Sequence, residues 1–136
     1  MNAEERMLKA CDAVADGDWP LSYKLMNELA SEGFADAEHF MGWLYEQGIE
    51  VPQSDEKAFH WWSKSAPKGV KESENALGGM YQEGKGTEKD LEKAYYWYSL
   101  AYKNGDSWSR QNIKDLEKEL TKKQISNIKE QIKLKT

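Results

Sequence analysis

The side chains that could do chemistry are few and poorly grouped. His39 and His60 stand 21 positions apart with no cysteine or paired histidine at metal-ligand spacing, so no metal centre is expected. The 13 acids within residues 1–56 supply carboxylates for acid–base work, but no activated nucleophile, phosphate-cradling glycine loop or histidine base brackets them. An enzyme built on these acids and His39 is therefore the disfavoured reading. Gly84-Lys85-Gly86 is too short for a phosphate loop and reads as a turn. Between Lys122 and Lys135 five lysines face one acid, a bias that suggests nucleic acid. A pI of 5.2, and the lack of a basic patch interleaved with aromatics, argue against that partner. No catalytic residue, cofactor, metal or nucleic acid is expected.

What must position the remaining side chains is a helical framework. The chain has 136 residues, 39% of them hydrophobic and 32% charged, with three prolines, which suits one mostly helical domain with a useful core. Aromatic residues make up 12%, and each can bury about 150–250 Å². The single Cys11 permits no internal disulfide, as in a reducing compartment. Met1 to Arg6 lack the basic and apolar regions of a secretory signal, and no apolar run approaches the roughly 18 residues of a membrane span. A cytoplasmic protein without a membrane partner is expected. The net charge of −5 is split into −10 over residues 1–56 and +5 over residues 57–136. This polarity reads either as solvated helix faces or as an acidic half that steers a basic partner. Opposite ends of opposite charge also allow weak self-association of a monomer.

The decisive pattern is an internal echo at a constant offset of 36 residues. Gly33, Gly42, Tyr45, Gly48, Lys57, Ala58, Trp61 and Gly69 return as Gly69, Gly78, Tyr81, Gly84, Lys93, Ala94, Trp97 and Gly105. Repeats of this length are helix pairs stacked into a solenoid. Apolar spacing predicts helices over residues 3–15 and from Trp19-Pro20 to Gly33, then a first repeat opening with a helix over about Ala35 to Gln47. Ser54 and Asp90 are placed as N-caps of the second helices. Gly42 and Gly78, each inside a helix at a cost of about 1 kcal/mol against alanine, imply close approach of a partner helix through its tryptophan. The repeated Trp61, Trp97, Tyr45 and Tyr81 read as core. After Gly105 the third unit keeps Ile113 and Leu116 but replaces Gly78 with Lys114 and Tyr81 with Glu117, as a polar-backed terminal cap should.

The run from Ala37 to Gly42, Tyr45, Gly48, Lys57-Ala58, Trp61-Trp62, Ala66 and Gly69, with its closer second copy from Leu77-Gly78 to Gly105, resembles the Sel-one-like repeat, a relative of the tetratricopeptide repeat. Glu50 in place of the family's second loop glycine, Pro67 near a helix end and His39 at a usually apolar position depart from its pattern. The resemblance implies an all-α, right-handed superhelix with first helices lining the concave face. The units expected are an N-terminal hairpin (1–32), repeats over 33–68 and 69–104, and a terminal unit with cap (105–136). It also implies a protein-interaction module or adaptor, or alternatively an immunity-type or regulatory inhibitor of one cognate protein.

Positions that differ between copies are where such an array can store specificity. Asp36, Phe40, Trp43 and Gln47 share one helix face, and their equivalents are Glu72, Ala76, Gly79 and Glu83. Two bulky side chains beside two small ones predict a bump and a hollow for a protein or peptide partner.

Overall fold

A computed structural model describes residues 1–135; Thr136, the last position of the expected terminal unit, lies outside them. Among the described residues there are eight α-helices and no strand: α1 (Ala3–Asp16), α2 (Trp19–Ser31), α3 (Ala35–Gln47), α4 (Asp55–Ser65), α5 (Lys71–Glu83), α6 (Leu91–Lys103), α7 (Ser109–Glu117) and α8 (Lys122–Leu134). Local chemistry sets their ends. Asn2, Asp18, Ser54 and Asp90 each accept a first-turn amide proton, from Glu5, Leu21, Lys57 and Lys93. Thr121 and Gln124 form a reciprocal capping box on α8.

The two repeat loops share one conformation. Gly48 and Gly84 both close their helices at φ 71, and the position two residues later is left-handed in both copies, Glu50 at φ 65 and Gly86 at φ 70. Glu50 thus departs from the glycine pattern in identity alone and bears the steric cost of a left-handed backbone. Pro67 falls in a short 3-10 turn over Ala66–Lys68, after α4 has ended at Ser65.

Each helix pair buries its apolar stripe against the next, so the core is built by stacking. Leu25, Leu29, Met41 and Leu44 join α2 to α3; Ala58, Trp62, Leu77 and Met80 join α4 to α5; Tyr95, Tyr98, Leu116 and Ile128 join α6 to α7 and α8. The helical glycines explain the tight pairing within repeats. A Cβ on Gly42 would lie 2.6 Å from Cδ1 of Trp62, and one on Gly78 would lie 2.7 Å from Cδ1 of Tyr98. The close approach expected at these glycines is present, but the intruding rings are one residue beyond Trp61 and Trp97. Those two tryptophans are only partly buried, as are Tyr45 and Tyr81, whereas Trp62 and Tyr98 are buried. All four of the repeated aromatics pack against the buried clusters, as a core reading expects, but none is itself fully buried. The identical residues are partly buried, and the chemically varied pair, Trp62 and Tyr98, fills the space left by glycine.

Candidate binding face

A polar seam sets the first helices in register. Ser65 donates to Ser73 at 2.5 Å, and Ser73 lies 2.7 Å from Nδ1 of His39. Ser73 thus bridges Ser65 of α4 and the His39 ring of α3. Burial pushes the His39 pKa down, opposed by the nearby Glu72 and Asp36 carboxylates. A serine beside a histidine invites a catalytic reading, but Ser65 and Ser73 are fully buried and no substrate can reach them. The pair is a joint between α3 and α5. Its counterpart one repeat later links Asn75 to Asp106 at 2.5 Å and to Ser109 at 3.1 Å.

A second set of seam contacts uses carboxylates. Buried Glu38 accepts from Lys68 at 2.7 Å, and Lys68 also donates to the Gly33 carbonyl at 2.8 Å. Thirty-six residues on, buried Glu74 accepts instead from the neutral Asn104 amide, at 2.8 Å. Burial therefore raises the Glu74 pKa, against the hydrogen bond from Asn104 and the charge of Lys135. A carboxyl with a raised folded-state pKa binds its proton more tightly when folded, so its contribution is present at acid pH and lost as pH rises through the folded value. Glu74→Gln is thus expected to gain most over the parent protein at neutral pH and to lose that advantage toward pH 4. Paired thermal melts across this range measure it. Such seam residues, Glu38 with Glu74 and Ser73 with Ser109, also recur at 36 residues, and that recurrence was the available signal for them.

On the expected binding face, Asp36 and Gln47 of α3 are exposed, and Phe40 and Trp43 are half-buried. Phe40 and Trp43 pack ring to ring at 5.5 Å, and Trp43 leans on Trp19 of α2 at 5.8 Å. The bump is an aromatic ladder anchored on the preceding hairpin. On α5, Glu72 and Glu83 are exposed, with Glu83 3.9 Å from Lys85. Ala76 is partly buried against the cluster around Trp62. The expected hollow is shallow, because the Tyr98 hydroxyl stands 3.5 Å from where a Cβ of Gly79 would be and donates to Gln82 at 2.8 Å. Burial and the Glu83 charge push the Tyr98 pKa up to about 12. A groove of about 470 Å³ runs past the starts of α3 and α5, lined in part by Met7, Phe34, Asp36, Val70 and Glu72. Asp36 and Glu72 therefore border a real concavity, and Gln47 and Glu83 stand at the far ends of their helices.

Among the described residues no group of three or more His, Cys, Asp or Glu side chains could hold a metal ion. His60 is exposed and rests edge-on against Trp61. No helix among the described residues is long and apolar enough to cross a membrane.

The Sel1 repeat model matches residues 35–70 and 71–106, just over half of the chain. The chain belongs to the Sel1 repeat family. Sel1 repeat proteins are generally protein-interaction scaffolds and typically not catalysts. This Sel1 repeat protein is similar in structure to a Sel1 repeat protein from Oxalobacter formigenes, at TM-score 0.67 and 29% identity, over 68% of this chain and 38% of that one. It is also similar to c5321, a protective antigen of uropathogenic Escherichia coli with the same fold, at TM-score 0.68 and 28% identity, over 85% and 28% of the two chains. Cysteine rich protein B of Helicobacter pylori shares the fold at TM-score 0.62 and 21% identity, over 65% and 67%. The chain thus spans about a third of the length of the first two. No curated protein sequence matches it.

Proposed function

We propose that this Sel1 repeat protein binds a segment of another protein on the face carried by its first helices, from Phe40 and Trp43 on α3 to Ala76 and Gly79 on α5. The observation that carries the reading is that Phe40 and Trp43 present aromatic surface at positions where the next copy has Ala76 and Gly79. The repeated Gly42 and Gly78 are committed to packing within their repeats. Half-buried aromatics near the centre of a face are the side chains that dominate binding energy in protein interfaces. No reaction is assigned to the chain.

The double variant Phe40→Ala, Trp43→Ala tests this. It is expected to keep its helical circular dichroism, since the buried residues beneath are untouched, and to lose the partner that the parent protein retains in affinity capture. A folded variant that retains the partner at full yield refutes the reading, and a variant that unfolds shows that the ladder serves the core instead.

A further inference from the structure

The first and last helices present surfaces of opposite chemistry. Within the array each pair covers the next, α2 against α3 and α4 against α5. The side of α1 opposite its buried Ala10 and Ala13 meets solvent instead. Along it run Glu4, Leu8, Cys11 and Ala15, all exposed at helical spacing, and Leu8 is 63% exposed. Glu5, Asp12 and Asp16 run beside this stripe, and none of the four acids of α1 joins an ion pair among the described residues. Of its two bases, Arg6 is held by Glu32 and Glu28, which leaves Lys9 as the exposed one.

The other end is cationic, since α8 carries four lysines and one glutamate. Both α7 and α8 pack on α6, but their backbones scarcely approach each other. Where the repeats seat a second helix closely on Gly42 and Gly78, the third unit has Lys114. A groove of about 310 Å³ therefore opens where the three helices meet, lined in part by Tyr102, Ile113, Ile132 and Lys129, with Tyr102 47% exposed. Lys129 also lines an adjoining hollow of about 480 Å³ with Lys122 and Ile125. Neither Lys122 nor Lys129 joins an ion pair among the described residues. Glu117 at the first hollow already accepts from the Tyr95 hydroxyl at 2.8 Å, and Glu130 at the second opposes an acidic occupant.

We propose that the occupant is a second copy of this chain, whose α1 docks on the α7–α8 end of the first. Leu8 and the small Cys11 and Ala15 lie against Tyr102, Ile113 and Ile132, while Asp12 and Asp16 face Lys122 and Lys129. Two different surfaces meet, so the contact does not close on itself and each assembly keeps one free α1 and one free α7–α8 end. Its charges remain near solvent, which makes the association weak and dependent on salt. The surfaces lie outside the face from Phe40 to Gly79, and the binding proposed for that face stands or falls separately.

Sedimentation velocity over a concentration series tests this, at about 20 mM and about 500 mM salt and with a thiol reductant present so that Cys11 forms no crosslink. The parent protein is expected to sediment faster as its concentration rises at low salt, and as a monomer throughout at high salt. Two charge reversals are made at exposed positions where each new charge suits or leaves untouched the helix dipole: Asp12→Lys, Asp16→Lys on α1 and Lys122→Glu, Lys129→Glu on α8. Each variant alone is expected to keep its helical circular dichroism and to stay monomeric. Their equimolar mixture is expected to associate again, because every reversed end then finds an end of opposite charge on the other variant. Leu8→Gln, which changes no charge, is expected to weaken association about threefold or more. A parent protein that is monomeric at low salt overturns the proposal. So does either reversed variant associating as the parent does, a mixture that stays monomeric, or a Leu8→Gln protein that associates undiminished.

Discussion

Trp62→Ala is expected to destabilise the fold by roughly 3–5 kcal/mol, through lost burial and the cavity left behind. The indole is 3% exposed, lies against the bare backbone of Gly42, stacks beside the His39 ring at 6.1 Å and donates from Nε1 to the His39 carbonyl at 3.1 Å. Removing it opens a space in the middle of the α3–α4 pair and leaves that carbonyl short of a partner, so the loss belongs at the upper end of the range. Trp61→Ala is expected to cost clearly less. Its ring is partly solvated and carries Lys64 at 5.0 Å. Urea unfolding of the two variants side by side separates them, and equal losses would return Trp61 to the core.

The reciprocal change, Gly42→Ala, is expected to destabilise by about 2 kcal/mol or more, although alanine gains about 1 kcal/mol in helix propensity over glycine. The added methyl has nowhere to go, since the nearest atoms are those of a rigid, fully packed indole. The propensity gain is realised only if the ring is gone. In Gly42→Ala, Trp62→Ala the two losses are therefore expected to fall well short of additive, because the space that the methyl needs is the space the indole vacates. A double-mutant cycle by denaturant unfolding measures the coupling, and additive losses would show that the contact between Gly42 and Trp62 does not limit the packing. Gly78 and Tyr98 repeat the arrangement, with the tyrosine hydroxyl held by Gln82.

The helix ends were the most legible part of the chain, because caps such as Ser54 and Asp90 and stops such as Gly48 and Gly84 act through local geometry alone. The internal glycines were legible as close contacts for the same reason. Which ring meets them was not, since a 36-residue identity favours Trp61 with Trp97, while the space beside glycine accepts either an indole or a phenol. The seam was hidden by a different habit of reading. Glu38 and Glu74 look like solvated helix charges, and only stacking buries them against Lys68 and Asn104. Periodicity placed Phe40 with Trp43 and Ala76 with Gly79 on matching faces but carries no information about depth, which the Tyr98 hydroxyl from the neighbouring helix decides.

Photocrosslinking from single exposed positions tests the binding face most directly. A benzophenone side chain at Gln47 or Glu83 stands on the first-helix face, and one at His60 or Lys64 stands on a second helix; all four positions are exposed, so the fold is kept. The account predicts partner adducts from Gln47 and Glu83 and none from His60 or Lys64. Adducts from His60 and Lys64 alone would contradict it.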